Sequence, residues 1–145
     1  MKIVHTGKET ELLSEVPKAG TYLGSKAKNH FKRLAKILIA SNRLKRIHVP
    51  ALEILAVNAE QWEWALREIR DKNKDKPGSG YIQKYASGAN NISAELSVKR
   101  DAEKAIMQCI KQFGLDPKSE KDLKATIDPA QTDLFEEFQN RKNVQ

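Results

Sequence analysis

The sequence has 145 residues, enough for one domain, and 39% of them are apolar while 31% are charged. Its 26 basic and 19 acidic residues give a formal net charge of +7 at pH 7, which favours a polyanionic partner. The single Cys109 excludes an intramolecular disulfide and a cysteine-rich zinc site. No apolar run reaches the ~20 residues of a membrane span, so we expect a cytosolic protein without a signal peptide or membrane contact.

Residues 1–24 mix charges evenly and contain Pro17 and three glycines. This composition predicts a flexible lead-in to the first helix.

The basic balance is concentrated between Ser25 and Arg46, which hold eight basic residues and no Asp or Glu. Removing those eight leaves 18 basic residues against 19 acidic ones in the rest of the chain. Apolar residues at helical spacing predict a short helix from about Ser25 to Ser41 with one buried stripe; they are Ala27, Phe31, Leu34, Ala35 and Leu38. We interpret the region 25–47 as a nucleic-acid-binding segment, with a solvated lysine-rich face as the alternative. The candidate DNA-binding residues are Lys26, Lys28, Lys32, Arg33, Lys36, Arg43, Lys45 and Arg46.

A second, longer helix is predicted to begin at His48 or Val49, with Pro50 in its first turn, and to end near 70–74. Its apolar residues form a heptad-like seam: Leu52, Leu55, Ala59, Trp62, Leu66 and Ile69. Further apolar side chains, including Trp64, lie off that seam. We therefore expect the helix to contact both its own chain and another copy of it.

The stretch 71–90 contains Pro77, Gly78 and Gly80 and is predicted to be irregular, with a short extended segment at Tyr81, Ile82 and Tyr85. Its KPGSGY sequence lacks the terminal Gly-Lys-Ser/Thr of a phosphate-binding loop and follows a helix, which argues against that motif.

A third helix is predicted from about Asn91 to Phe113, ended by Gly114 and Pro117. It is expected to pack antiparallel on the second helix, so that residues 48–115 form a helical hairpin and an oligomerisation core. Lys99 and Glu103 interrupt its apolar stripe and suit an interface between subunits better than a dry core. With them, Trp62 and Trp64 complete the predicted oligomer interface.

The tail, residues 116–145, contains an acidic and aromatic run on a predicted short helix: Leu134, Phe135, Glu136, Glu137 and Phe138 with Asp133 before them. Two interpretations are open. The tail helix docks on its own domain, or it presents a linear motif to a partner protein.

No pattern in the sequence indicates catalysis or a cofactor. His5, His30 and His48 are far apart, and no cluster of His, Cys and carboxylates has metal-ligand spacing. Nucleophile elbows and phosphate-binding loops are absent from the sequence. We predict a protein that is not an enzyme, with no catalytic residue, no metal site and no cofactor.

Four stretches together resemble the small terminase subunits of tailed bacteriophages, in the branch with a helical-hairpin core common in cohesive-end phages. The resemblance covers residues 31–121, and a similar acidic tail follows. The stretches are RLKRIHVPALEILAVNAEQWEWALREI (43–69), GSGYIQKYA (78–86), QFGLDPKSEKDL (112–123) and DPAQTDLFEEF (128–138).

This resemblance implies a non-catalytic protein of the infected host's cytoplasm that forms a ring. It further implies binding to the packaging-initiation region of double-stranded viral DNA and recruitment of the large terminase subunit, which carries the ATPase and nuclease. Under this hypothesis the basic helix contacts DNA, the hairpin forms the ring, and the tail contacts the large subunit.

The sequence therefore predicts an all-α fold: a basic helix, a central antiparallel hairpin and a tail helix. The resemblance implies that this fold assembles as a ring. A dimeric, helix-turn-helix-like transcriptional regulator remains an alternative, as does a helical adaptor whose basic face binds an acidic protein.

Overall fold

The computed structural model describes residues 8, 10–118 and 121. Within these residues there are three α-helices, and the elements follow one another as α1 (Ser25–Ala40), a 3-10 turn (Arg46–His48), α2 (Val49–Asp75), β1 (Ile82–Lys84), β2 (Asn90–Ile92) and α3 (Ala94–Gln112). The predicted helical fold is confirmed in its main part, with a small two-stranded sheet that the all-α prediction lacked. A first compact unit ends at Cys109, and a second begins at Ile110. The predicted tail helix lies outside the described residues.

The core is built mainly where α1 packs on α2, which is the helix pair with the most extensive contact. Four of the five residues of the predicted α1 stripe are buried, and Phe31 is completely enclosed. Opposite them, α2 buries Leu52, Leu55, Ala56, Ala65 and Ile69. The alanines leave room for the two helix backbones to approach, and each fully buried Leu or Phe contributes about 1.5–3 kcal/mol.

The C-terminus of α1 closes in a Schellman motif, in which two backbone N–H groups bond back to the last turn. Asn42 adopts φ 54°, a left-handed conformation that asparagine tolerates better than most residues. Its N–H donates to Ile39 O at 3.0 Å, and the Arg43 N–H donates to Leu38 O at 2.8 Å. After glycine, asparagine is the residue most often found at this position following a helix.

The segment before α1 is joined to the turn after it. Leu12 forms a β-bridge with Lys45, and the Leu13 N–H donates to Leu44 O at 2.8 Å. Further along, the Tyr22 hydroxyl donates to a Glu53 carboxylate oxygen, which raises the pKa of Tyr22. The described part of the predicted lead-in therefore has a defined path along α1 and α2.

Between α2 and α3 the chain forms an antiparallel ribbon, β1 and β2, in which Ile82 pairs with Ile92, Gln83 with Asn91 and Lys84 with Asn90. The sequence predicted an extended segment at Ile82 but assigned Asn91 and Ile92 to the following helix. In the structure α3 begins at Ala94, and the Ser93 hydroxyl accepts the Leu96 N–H at 3.1 Å. This bond identifies Ser93 as the N-cap residue of α3.

Two side-chain contacts connect α3 to α2 in antiparallel order. Lys72 Nζ lies 2.6 Å from Glu95 Oε1, and Trp62 Nε1 donates to Glu103 Oε1 at 3.0 Å. Long side chains make these contacts, and the two helix backbones approach each other much less than those of α1 and α2. Within the first unit, only Ala102 and Cys109 of α3 are buried. Most of the predicted α3 stripe is therefore partly exposed to solvent.

Candidate nucleic-acid interface

The exposed face of α1 carries a cluster of positive charge. Lys26, Lys32, Arg33 and Lys36 are exposed, and Lys28 is half-buried beside them. The apolar stripe fixes this arrangement, because burying Phe31 and Ala35 against α2 turns the intervening basic residues outward. No ion pair within the described residues neutralises these five cations, and α1 contains no acidic side chain. The surface therefore suits phosphate groups.

Three of the α1 lysines share a groove with the segment that precedes the helix. Lys28, Lys32 and Lys36 follow one another at intervals of four residues, one helical turn, and line a cavity of about 420 Å³. The rest of its lining is Phe31 and the chain from Val16 to Ala19, which adds a fourth cation, Lys18. Sequence reasoning missed Lys18, because its position depends on the path of a segment without periodicity.

Arg33 is oriented by a buried neighbour that sequence reasoning also missed. Its Nη2 lies 3.1 Å from His30 Nδ1, and His30 Nε2 lies 3.2 Å from Glu63 Oε2 of α2. His30 has only 8% of its surface exposed. Its ring therefore links the basic helix to α2 and holds the guanidinium of Arg33 at the edge of the exposed face.

The remaining candidate cations lie in the connection after α1 and are less uniform. Arg46 is exposed, whereas Arg43 and Lys45 are half-buried. The Lys45 backbone N–H faces His48 Nδ1 at 3.3 Å, so this residue also helps to shape the turn. The structure thus places five predicted cations on α1 and three on the adjoining turn.

The four predicted oligomer-interface residues have different environments. Glu103 accepts a hydrogen bond from Trp62 and forms an ion pair with Lys99 at 2.6 Å, so three of them form one cluster within the chain. The bonds from Lys99 and, secondarily, Trp62 lower the pKa of Glu103. Trp64 is 44% exposed. Their role between subunits stays a prediction, as do the predicted domain boundaries.

The predicted large-subunit contact, Leu134 to Phe138, lies outside the described residues. Within the described chain, no group of three or more His, Cys, Asp or Glu side chains is placed to hold a metal ion. No helix of that part of the chain is long and apolar enough to cross a membrane.

Comparison with known proteins identifies the family. The family model described as "Phage terminase, small subunit" matches residues 27–129, from the first turn of α1 into the tail. Neither the curated proteins nor the solved structures contain a significant match. The family match covers well over half of the chain, including every helix and both strands apart from the first two residues of α1. The chain belongs to the phage terminase small-subunit family.

Proposed function

We propose that this protein is the non-catalytic, DNA-recognising subunit of a phage packaging terminase, acting in the cytoplasm of the infected host. It binds the packaging-initiation region of the viral DNA as a homo-oligomeric ring and recruits and stimulates the large subunit. The family assignment supports the packaging role. The acid-free, exposed cationic face of α1 is the single observation that carries the DNA-binding part of the proposal.

Large apolar side chains that remain partly exposed on α2 and α3 support the proposed oligomer. Trp64 on α2 and Met107 on α3 are 44% and 51% exposed, and Trp62, Leu66 and Ile106 are only half-buried. Large apolar side chains left partly exposed along two neighbouring helices are typical of a surface that another protein chain covers. A second copy of the same chain is the simplest occupant, since ring formation requires such a contact.

The DNA-binding part is tested by titrating the full chain with a phage-derived duplex at several salt concentrations. Reversing Lys32, Arg33 and Lys36 to Glu removes up to three phosphate contacts. The slope of log affinity against log salt should then become shallower by about 0.9 per contact. The matched control reverses Lys104 alone, an exposed lysine of α3. Equal slopes for wild type and triple variant would place the DNA site elsewhere.

Recruitment of the large subunit is tested by removing residues 129–145. We expect unchanged oligomeric mass and DNA affinity, together with loss of the stimulated ATPase activity of the large subunit. Loss of the oligomer upon truncation would instead give the tail a structural role.

A dimeric transcriptional regulator is the main rival. Eight residues, 41–48, separate α1 from α2, whereas a helix-turn-helix pair is joined by a turn of three or four. A light-scattering mass well above that of a dimer, unchanged on dilution, would support the ring. A dimer that binds a palindromic duplex and has no effect on an ATPase would favour the regulator.

A further inference from the structure

We propose that the β1–β2 ribbon is a second DNA-contact element, which enters the major groove and reads base edges with Gln83 and Asn91. This inference rests on the proposed DNA-binding function, and it assigns the sequence-reading step to a different element from the basic helix.

The charge and exposure of the ribbon match a nucleic-acid partner. All six strand residues are exposed, and so are Tyr81 and Tyr85 beside β1. From Lys76 to Ala94 the chain has two lysines and no Asp or Glu. Neither Lys76 nor Lys84 forms an ion pair with any described residue. The ribbon is therefore a cationic projection with two unpaired charges available for phosphates.

Two acidic residues of the helices that flank the ribbon have cationic partners. Glu95, at the start of α3, pairs with Lys72, and this bond lowers its pKa. Asp71 lies 3.2 Å from Arg70 Nε and 4.0 Å from Lys74 Nζ. Glu95 and Asp71 thus have cationic partners, which reduces their repulsion of a phosphate backbone.

The base of the ribbon is fixed to both flanking helices. The Gly80 N–H donates to Asn73 Oδ1 at 2.9 Å, and the buried Ser93 hydroxyl donates to Gly80 O at 2.7 Å. The Ser93 N–H also donates to Tyr81 O at 2.9 Å. An exposed ribbon on a hydrogen-bonded base is held in one direction, as a groove-reading element requires.

The register brings two amide side chains together. Gln83 and Asn91 are paired directly across the strands, so they share one face of the ribbon. A two-stranded ribbon fits the major groove, where Gln and Asn amides pair with the N6 and N7 atoms of adenine. Asn91 Oδ1 already accepts the Ile92 N–H at 2.8 Å, whereas Gln83 forms no such bond within the described chain. Gln83 is therefore the stronger candidate reader.

The offset between α1 and the end of α2 that leads to the ribbon is short compared with one turn of DNA. His30 anchors α1 at Glu63, twelve residues before the end of α2 at Asp75. At 1.5 Å per residue this is about 18 Å along the α2 axis. One turn of B-DNA spans about 34 Å, so this offset is about half a turn, and joint contact with one duplex requires the ribbon and the basic face of α1 to lie on the same side of α2.

The test uses the full chain and a pool of 40-base-pair duplexes with randomised centres, with bound sequences compared for wild type and variants. Q83A/N91A should keep the salt slope but reduce sequence enrichment by about 5- to 150-fold per lost bidentate contact. K76E/K84E should instead make the salt slope shallower by up to about 1.8. K104E is the matched control for charge.

Three outcomes would overturn the inference. If K32E/R33E/K36E weakens binding while both ribbon variants match the wild type, DNA binding stands and the ribbon is not part of it. If a ribbon variant lowers the light-scattering mass, the ribbon contacts a second copy of the chain instead. If the wild type binds no duplex at low salt, the proposed function itself fails.

Discussion

His30 Nε2 lies 3.2 Å from Glu63 Oε2, and this contact joins the basic helix α1 to α2. The opposite ring nitrogen, Nδ1, faces the Arg33 guanidinium at 3.1 Å. Because guanidinium only donates, Nδ1 must act as the acceptor, and the Nε2–H then donates to the carboxylate. One buried ring thereby positions a surface cation and fixes the helix that carries it.

Replacing His30 with Ala should lower both stability and DNA affinity. The variant loses two side-chain hydrogen bonds and leaves a small cavity, so we expect a loss of about 1–3 kcal/mol in the free energy of unfolding. DNA affinity should fall as well, because Arg33 loses its orienting contact. Urea denaturation and DNA titration measure the two effects. The exposed Lys26→Ala should change the free energy of unfolding by less than about 0.5 kcal/mol, and an equal loss of stability for both variants would refute the assigned role.

Acid should weaken the connection between α2 and α3. Hydrogen bonds to Glu103 from Lys99 and, secondarily, from Trp62 of α2, and to Glu95 from Lys72 of α2, lower the pKa values of both carboxyls below their ordinary value of 4.5. Each carboxylate therefore stabilises the fold fully above pH 4.5, and this contribution is lost as the pH falls through the lowered value.

The variant E95Q/E103Q should accordingly be less stable than wild type at pH 7 and approach it below pH 4.5. Each exposed pair contributes up to about 1 kcal/mol, so thermal midpoints between pH 7 and 3 would resolve the combined effect. Glu11→Gln, at an exposed position without an ion pair in the described chain, is the control. A wild type and double variant with parallel pH profiles would contradict the assignment.

Trp64 should matter for assembly more than for the fold of one chain. Its side chain is partly exposed on α2, so Trp64→Glu places a charge in the proposed interface without opening the α1–α2 core. We expect a lower light-scattering mass with an unchanged far-ultraviolet circular dichroism spectrum. Gln61→Glu adds the same charge at an exposed position of the same helix. Similar masses for all three proteins would exclude Trp64 from the interface.

Leu44 should be essential to the connection that presents the turn cations. It is completely buried, and its carbonyl accepts the Leu13 N–H. Leu44→Ala should cost about 2–5 kcal/mol, measured by urea denaturation, because it removes a completely buried side chain and leaves a cavity. Ile47→Ala, three residues later and 59% exposed, should cost less than about 0.5 kcal/mol. A small loss at Leu44 would mean that the turn is not anchored through the core.

Periodicity predicted the helices well, because the apolar stripes of α1 and α2 are long and regular. Gly114 was also predictable as a helix end, because glycine adopts the positive φ of this position without a steric penalty. The second strand was missed because its asparagines favour turns over strands, and Ile92 continued the spacing of the next helix. Local sequence pattern cannot distinguish a strand from the first turn of a helix here. The hydrogen bonds that set the start of α3 join Ser93 to Gly80 and Tyr81, more than ten residues earlier.

The candidate site was predictable in charge but not in arrangement. Eight basic residues without an acidic one predict a cationic surface on α1 and the following turn, independently of the fold. Lys18 joins the basic groove, and His30 is held by Glu63, through contacts between residues distant in sequence. The spacing of residues along one helix does not reveal such contacts. The same is true of Trp62. It was predicted to contact another copy of the chain, and its indole N–H donates to Glu103 of its own chain.

The hydrogen bonds of the Ser93 hydroxyl fix the base of the β1–β2 ribbon, whereas the turn at its far end takes no part in them. The hydroxyl donates to Gly80 O and accepts the Leu96 N–H, so the close of the ribbon and the start of α3 share one side chain. Insertions or exchanges in the turn from Ala86 to Ala89 leave these bonds untouched. A phage lineage could therefore alter the exposed end of this projection, and with it the surface offered to a partner, without rebuilding the helices beneath it.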